Sequence, residues 1–301
     1  MGNETVSFQE SIFVGITYFL FATILLLIYI VYNLVLLRDY EFRKLQAFRL
    51  MIFLGLLDCT QLLGHMSSGF LTIRKDINNN YPYLSQVLGG ILNSAWVGLF
   101  PLTLIIAINR FLTFRRTINA EGSIPWLMKI AVALSFLYCF GFCICLLTFA
   151  NVMYYPESFS WSYGSNYASA VMSDIEYFVS VTCIGLTLLV YIMIAVAIYK
   201  MTRGVASIKR RDIHLVAHAA LLFFILTTLI TSWHYYSFFL PESVWTYFSI
   251  NTYWIFYCGL NPLLYIAFSK KIRTSYLRFV GIRVLQRDKK TISVIPITSH
   301  Q

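Results

Sequence analysis

The chain has 301 residues, of which 58% are hydrophobic and only 12% are charged, and its net charge is +10. Water-soluble domains are about a quarter charged, so this chain has too little polar surface to cover a soluble core. The composition also excludes disordered, coiled-coil, collagen-like and disulfide-stapled secreted proteins. Its basic residues alternate with long apolar runs, which argues against a nucleic-acid partner. The sequence therefore indicates an integral membrane protein.

Seven apolar runs are long enough to cross a bilayer as helices, which requires roughly 20 residues each. The predicted spans are 12–37, 46–73, 84–109, 126–149, 176–199, 215–240 and 245–268. The first run is too long for a cleaved signal peptide and follows no basic segment, so we expect it to be an anchor. We predict an all-α membrane protein, a seven-transmembrane helix bundle over 12–268, with no soluble domain of useful size.

The positions of Lys and Arg predict the orientation. If the N-terminal tail, residues 1–11, is extracellular, then only Arg74 and Lys75 of the 23 Lys and Arg residues lie outside. This is the pattern of the positive-inside rule. The cytoplasmic face would be strongly basic and suited to anionic lipid or a cytosolic partner. Asn3, in Asn3-Glu4-Thr5, is a candidate glycosylation site on the outer tail.

Asp58 is the only acidic residue that the predicted spans bury deeply. An ionisable group at mid-membrane costs about 2.5–3.5 kcal/mol, so it marks a functional interior, although a purely structural hub is the alternative. Four residues of the second span recur at steps of three and four and so share one helix face: Asp58, Gln61, His65 and Gly69. Four other spans each add an asparagine, for which helix packing is the alternative role: Asn33, Asn93, Asn109 and Asn261.

The end of the seventh span and the segment after it form a recognisable pattern. The span closes with Asn261-Pro262-Leu263-Leu264-Tyr265, and a proline there permits a kink that can act as a pivot. Ser269 is a good N-cap for a following amphipathic helix over 269–285, which we expect on the inner leaflet before a cytoplasmic tail over 286–301. Arg110 closes the third span, where a snorkelling boundary charge is the alternative interpretation.

These features together resemble the rhodopsin-like G-protein-coupled receptors over the whole chain. Asn33, Asp58, Arg110 and Pro262 resemble that family's helix 1 asparagine, helix 2 aspartate, helix 3 arginine and helix 7 proline. The pattern Asp58-x-x-Gln61-Leu62-x-x-His65-x-x-x-Gly69 is similar to the nematode serpentine chemoreceptors, as is a single tryptophan, Trp96, ahead of Ala107-Ile108-Asn109-Arg110-Phe111. The Srt class is the most similar, with Srx as its neighbour.

The resemblance implies a chemosensory receptor in the plasma membrane, in sensory cilia if it is a nematode receptor. It would bind a small, mostly apolar and even volatile organic molecule in the outer half of the bundle and activate a heterotrimeric G protein. Aromatic rings with a few polar groups suit such a ligand. The candidate ligand-binding residues, for which bundle packing or an interfacial aromatic belt is the alternative, are His65, Asn93, Trp96, Tyr177, Trp233, His234, Tyr236, Tyr253 and Trp254.

A second set of residues would switch the bundle between two packings. We expect Asp58, Asn33 and Asn261 to form a polar hub, which could hold a sodium ion, and Arg110 and Tyr265 to rearrange on activation. The candidate switch residues are Asn33, Asp58, Asn109, Arg110, Asp212, Asn261, Pro262 and Tyr265.

The sequence departs from the family pattern in three places. Asn109 replaces the acid before Arg110, so Asp212 would supply the counter-charge. Thr231-Ser232-Trp233-His234 stands where helix 6 usually carries Trp-x-Pro, which puts its hinge in doubt. The usual disulfide to the second outer loop is absent, because all six cysteines lie within spans. We expect the loop to be mobile or to be held by packing of its aromatic residues: Tyr154, Tyr155, Trp161, Tyr163 and Tyr167.

Other classes of protein fit less well. A retinal-binding opsin needs a Schiff-base lysine, and residues 245–268 contain none. His214 and His218 could begin the zinc site of a membrane hydrolase, but only Asp212 lies close and the N-terminus would be inside. A transporter would show repeated halves or several buried charges. A receptor for an endogenous peptide or amine remains an alternative. We expect no enzyme activity, cofactor, resident metal or nucleic-acid partner.

Overall fold

The computed structural model describes residues 6–114, 126–203 and 210–281 of the chain; the side chains of residues 79, 114, 198, 200–203 and 210–219 are outside this description. Long helices dominate it: α1 Phe8–Arg38, α3 Gln46–Ile73, α5 Pro82–Phe114, α6 Trp126–Thr148, α7 Tyr167–Arg203, α8 Arg210–Tyr235 and α9 Val244–Phe268. Shorter elements connect or follow them: α2 Tyr40–Arg43, α4 Lys75–Asn80, a 3-10 turn Tyr236–Phe238 and α10 Lys270–Phe279. Two strands, β1 Val152–Tyr155 and β2 Ser160–Tyr163, join α6 to α7.

Six of the long helices have the length and apolar composition of membrane spans, and α9 is the long helix of the described residues that does not meet both criteria. The polar residues Thr246, Asn251 and Asn261 contribute to this difference, and all three are buried. Large apolar residues such as Leu20 and Leu27 on α1 are instead exposed on the outside of the bundle. Polar groups inside and apolar groups outside are what a bilayer demands, and the predicted all-α membrane bundle is confirmed.

The start of α7 differs from the sequence-based expectation. The helix begins at Tyr167, nine residues before the predicted start at 176. The side chain of Asn166 caps it, since its Oδ1 accepts a hydrogen bond of 2.8 Å from the backbone N–H of Ser169. Polar residues of this first part made it resemble a loop in the sequence, yet Ser169 is fully buried. The longer helix moves Glu176 from the edge of the span into its interior.

Close approach between helices fixes the centre of the bundle. Of the 18 residues in the apolar stretch of each helix, 67% are buried on α5 but only 22% on α6 and on α7, so α5 is the central helix. Gly15 of α1 and Gly69 of α3 face each other: a Cβ on Gly69 would lie 2.6 Å from the carbonyl oxygen of Gly15. Small residues at such crossings allow backbones to pack closely in membranes. Gly69, which shares one helix face with Asp58, Gln61 and His65, therefore serves helix packing.

Strands β1 and β2 form an antiparallel hairpin, Val152 to Tyr163, which is packed into one end of the bundle. Tyr154, Phe159 and Trp161 are almost fully buried. Phe159 has a φ of 56°, a left-handed conformation that costs a bulky residue on the order of 1–3 kcal/mol and persists only where the surroundings hold it. We call this end the hairpin end, and the opposite end, where α5 reaches Arg110 and α10 follows α9, the Arg110 end.

Hydrogen bonds from several helices hold the hairpin in place. Tyr18 of α1 donates its hydroxyl to the carbonyl of Phe159 at 3.0 Å, and the hydroxyls of Thr72 and Tyr154 are 2.5 Å apart. Asn251 of α9 donates to the hydroxyl of Ser160 at 3.1 Å. The expected packing of loop aromatics is correct for Tyr154 and Trp161 and wrong for two others, because Tyr155 is 38% exposed and Tyr167 is 86% exposed.

Candidate functional site

Four rings from four helices meet in the half of the bundle near the hairpin. Trp254 of α9 is their centre, with ring centroids 4.7 Å from His65, 5.0 Å from Trp96 and 5.2 Å from Trp233. His65, Trp96 and Trp254 are buried, and Trp233 is partly exposed. We call these four residues the aromatic cluster. The structure thus brings together four of the nine candidate ligand-binding residues.

The polar groups of the aromatic cluster are only partly used. The indole N–H of Trp254 donates to Oε1 of Gln61 at 2.8 Å. His65 is fully buried, and among the described residues neither of its ring nitrogens has a hydrogen-bond partner. A neutral imidazole offers one donor and one acceptor, and buried polar groups are normally satisfied. His65 can therefore bind a water molecule or a polar group of a ligand placed against these rings.

Glu176 is a second buried acid, and its position corrects the expectation that Asp58 is the only one. Asn93 donates to Oε2 of Glu176 at 3.2 Å, Trp96 donates its indole N–H to Oε1 at 2.9 Å, and the Tyr163 hydroxyl bonds to Oε2. Glu176 is fully buried and Asn93 is 3% exposed. Sequence reasoning missed this site because the span was predicted to start at 176; the Asn166 cap was the signal that could have extended it.

The other candidate ligand-binding residues form separate contacts. The rings of Tyr177 and His234 are 5.0 Å apart. Tyr236 shares a hydrogen bond of 2.7 Å with the hydroxyl of Tyr247. Tyr253 shares one of 2.7 Å with the hydroxyl of Thr228. These contacts link α7 to α8, the 3-10 turn to α9, and α8 to α9.

Asp58 lies deeper in the bundle, on the side of the aromatic cluster that faces the Arg110 end. Its Oδ2 accepts a hydrogen bond of 2.6 Å from the hydroxyl of Tyr29 and one of 3.3 Å from Asn261. Asn33 lies nearby and donates to the Cys59 sulfur at 3.9 Å. The expected hub consisted of Asp58, Asn33 and Asn261. The structure bonds Asp58 to Asn261, whereas Asn33 bonds to Cys59. Tyr29 is a partner that the sequence did not indicate, because a tyrosine in a tyrosine-rich span carries no distinguishing signal.

At the Arg110 end, the guanidinium of Arg110 donates to the hydroxyl of Tyr265 at 2.7 Å. The two residues border a cavity of about 560 Å³, part of it open to solvent. Its other lining residues include Tyr29, Thr103, Tyr191, Leu226, Tyr257 and Asn261. Tyr29 and Asn261, which bond to Asp58, also line the cavity, so the cavity lies between Asp58 and Arg110.

Some predicted residues have other settings. Asn109 is 1% exposed, and its side-chain oxygen has no hydrogen-bond partner in the described part of the chain. Pro262 lies inside α9. Asn3 and the side chain of Asp212 lie outside the described residues, as do the side chains of His214 and His218. Within the described residues, no group of three His, Cys, Asp or Glu side chains is placed to hold a metal ion.

The short helix α10 has the amphipathic character that the sequence predicts. Ser269 caps it by accepting the backbone N–H of Ile272 at 3.4 Å, and Ile272 is buried against the bundle. Lys271 lies 3.7 Å from Glu41 and over the ring of Phe42. The Glu41 pair is exposed and contributes little, so the burial of Ile272 is what attaches α10 to the bundle.

This architecture is that of a seven-helix G-protein-coupled receptor. The crystal structure of squid rhodopsin matches it with a TM-score of 0.66 and 12% sequence identity, covering 92% of this chain and 87% of that one; at this identity the likeness concerns the fold. The family model of the serpentine type 7TM GPCR chemoreceptor Srt matches residues 3–289. The chain belongs to this family, which confirms the resemblance seen in the sequence. No curated protein sequence matches it.

Proposed function

We propose that this receptor binds a small organic molecule at the aromatic cluster and activates a heterotrimeric G protein at the Arg110 end. The observation that carries the proposal is one face of α9. Trp254, Asn261 and Tyr265 lie on that face at helical spacing. Trp254 belongs to the aromatic cluster, Asn261 bonds to Asp58, and Tyr265 bonds to Arg110. A single helix thus connects the candidate ligand site to the candidate effector site.

The chemistry of the aromatic cluster suggests the kind of ligand. Three tryptophan rings pack together here, and the ring nitrogens of His65, which have no hydrogen-bond partner among the described residues, supply one polar anchor. A ligand that separates these buried rings would meet an apolar surface with a single polar group, a composition that suits compact organic molecules. We infer a neutral, mostly apolar ligand, volatile or lipophilic, with one oxygen or nitrogen atom that bonds to His65.

Signal transfer requires two packings of similar free energy that the ligand biases. We infer that a ligand against Trp254 displaces α9, for which Pro262 supplies a pivot. The bonds of Asn261 to Asp58 and of Tyr265 to Arg110 would then rearrange. The cavity beside Arg110 would widen to accept a helix of the G protein, with no chemical reaction at any step.

The charge distribution supports the orientation that this mechanism needs. The Arg110 end, rich in Lys and Arg, would face the cytosol and the anionic inner leaflet of the plasma membrane. The hairpin and the tail with Asn3 would be extracellular, and Asn3 could be glycosylated. An epitope tag ahead of Met1 should be detected by antibody on intact cells. Detection only after permeabilisation would contradict the orientation and with it the proposed function.

A reporter-cell experiment tests the function. The chain is expressed with chimeric Gα subunits and exposed to a panel of small alcohols, ketones, esters and aromatic compounds. A Trp254→Phe variant should need at least tenfold more of an active compound, because it removes the indole bonded to Gln61. The matched control is Trp245→Phe on the same helix, where the side chain is 42% exposed. Equal responses of both variants, or a current without any G protein, would contradict the proposal.

A further inference from the structure

The hairpin lies about one helical turn from the aromatic cluster, since it bonds to Asn93 and Asn251, which precede Trp96 and Trp254 by three residues. Its second strand ends at a buried acid. Tyr163, the last residue of β2, has one hydroxyl proton to donate; its hydroxyl contacts Oε2 of Glu176, and Oδ1 of Asn93 lies 3.1 Å from the same hydroxyl oxygen. Asn93 and Trp96 add their own hydrogen bonds to Glu176 from α5. Glu176 therefore joins three segments that are far apart in the sequence: the hairpin, α5 and α7.

We propose that Glu176 is a clamp that keeps the hairpin closed over the ligand site, and that the Tyr163 hydroxyl is the part of this clamp that opens. The inference rests on the proposed function for its purpose, since a clamp over a ligand site presupposes that a ligand enters there. Its physical basis is independent of that function. The clamp takes the place of a covalent link, because all six cysteines are free.

The contacts of Glu176 differ from the other contacts that hold the hairpin. The bonds of Tyr18, Thr72 and Asn251 to the hairpin join neutral groups. Glu176 is an acid whose two carboxyl oxygens accept bonds from three neutral donors, and the salt bridges found among the described residues do not include it. A fully buried carboxyl group that loses a hydrogen-bond partner is costly. Unlike each of the neutral pairs, the contacts of Glu176 tie the hairpin to two helices at once.

Trp96 couples this clamp to the ligand site. Its indole N–H donates to Glu176, while its ring lies against Trp254 in the aromatic cluster. A ligand that displaces the ring must also weaken or reorient the N–H bond to Glu176. Ligand entry and hairpin closure then depend on the same side chain. The hairpin acts as a lid whose opening is linked to occupancy of the cluster.

The test measures hairpin opening without any ligand. Ser160, 7% exposed on β2, is replaced by Cys as a reporter, and the rate of its reaction with a maleimide is measured in detergent-solubilised full-length receptor. Ser162→Cys, on the exposed face of the same strand, is the accessible reference, and the chain without either change gives the background of the native cysteines. Tyr163→Phe removes only the clamp hydroxyl, and Glu176→Gln replaces the carboxyl group with an amide of the same size.

We expect Tyr163→Phe and Glu176→Gln each to speed labelling of the Ser160→Cys reporter roughly tenfold, because each change weakens the hydrogen bonding of a buried polar group. Labelling at the Ser162→Cys reference should not change. The matched control, Tyr155→Phe, removes the exposed hydroxyl opposite Ser160 and should leave both rates unaltered. An unchanged rate in both clamp variants would overturn the proposal. Because no ligand is used, that result leaves the proposed function standing, whereas failure of the reporter-cell experiment leaves the clamp standing.

Discussion

The two ends of the bundle are built on different principles. At the hairpin end, Glu176 and Asn251 bond to partners on other elements, and a β-hairpin fills the space between the helices. At the Arg110 end, a cavity of about 560 Å³ that is partly open to solvent lies between the helices, with Arg110 and Tyr265 at its border. A tightly bonded region resists change, while a region with space has room for a second packing. If the proposed function holds, ligand recognition falls to the tightly bonded, rigid half and effector binding to the adaptable half.

The link between the halves consists of residues on facing helices. α9 carries Trp254 and Asn261, and α3 carries His65 and Asp58 at matching levels. The polar bonds between α3 and α9 are few, so the loss of one polar contact should affect the two halves of the bundle differently.

Removing the polar link at the adaptable end should abolish signalling. In Arg110→Ala the partner of Tyr265 is lost, and the cavity keeps its apolar walls, so the receptor should still fold and reach the cell surface. We expect the maximal ligand-driven response to fall at least 100-fold, measured with surface expression by flow cytometry. Lys129→Ala, a change of an exposed basic residue on α6, serves as the control. Normal signalling by Arg110→Ala would remove this residue from the mechanism.

Adding one methyl group at the rigid end should destabilise the whole receptor. A Cβ on Gly89 of α5 would lie 2.2 Å from the carbonyl oxygen of Val152, which is backbone of the hairpin and cannot rotate away. Overpacking of this kind costs about 1–3 kcal/mol, so Gly89→Ala should lower the melting temperature of purified receptor by several degrees. Gly141→Ala on α6 is the matched control, because its Cβ would meet nothing within 4 Å. Equal melting temperatures would show that the hairpin is less firmly packed than described.

Removing one neutral hydrogen bond at the rigid end should have a smaller effect. Tyr154→Phe deletes the hydroxyl that bonds to Thr72, and Thr72 keeps its bond of 2.7 Å to the carbonyl of Ser68. Since no buried group is left wholly unpaired, we expect a loss of about 1 kcal/mol in the free energy of unfolding. Thermal denaturation of the variant beside Tyr155→Phe, whose ring is partly exposed, measures it. A loss as large as that of Gly89→Ala would mean that the hairpin depends on this one bond.

The bundle was predictable because bilayer physics acts on local sequence. Any run of about 20 apolar residues must become a helix in lipid, and a polar residue in such a run must turn inward. This reasoning placed Asp58, His65 and Asn261 inside, as the structure finds. It could not identify Tyr29 as the partner of Asp58, because the pairing of two helices depends on their relative rotation and height.

Glu176 shows where local reasoning fails. An acid near the polar start of an apolar run resembles a boundary charge, and the sequence gives no sign that Asn93, Trp96 and Tyr163 converge on it. The hairpin was missed for a related reason, since its strands are four residues each and owe their burial to the surrounding helices. Short strands of this kind are stable only where other elements pack against them.

The membrane class, the helical architecture, the family resemblance and the inward position of most polar residues follow from the amino-acid sequence alone. Hydrophobic length, charge distribution and short motifs specify them, and these are properties of neighbouring residues. The folded bundle was needed to show that a hairpin packs beside the aromatic cluster, that Glu176 joins the hairpin to two helices, and that Arg110 meets Tyr265 beside a cavity. Such contacts arise between residues as many as 155 positions apart, and they depend on helix packing that no local pattern encodes.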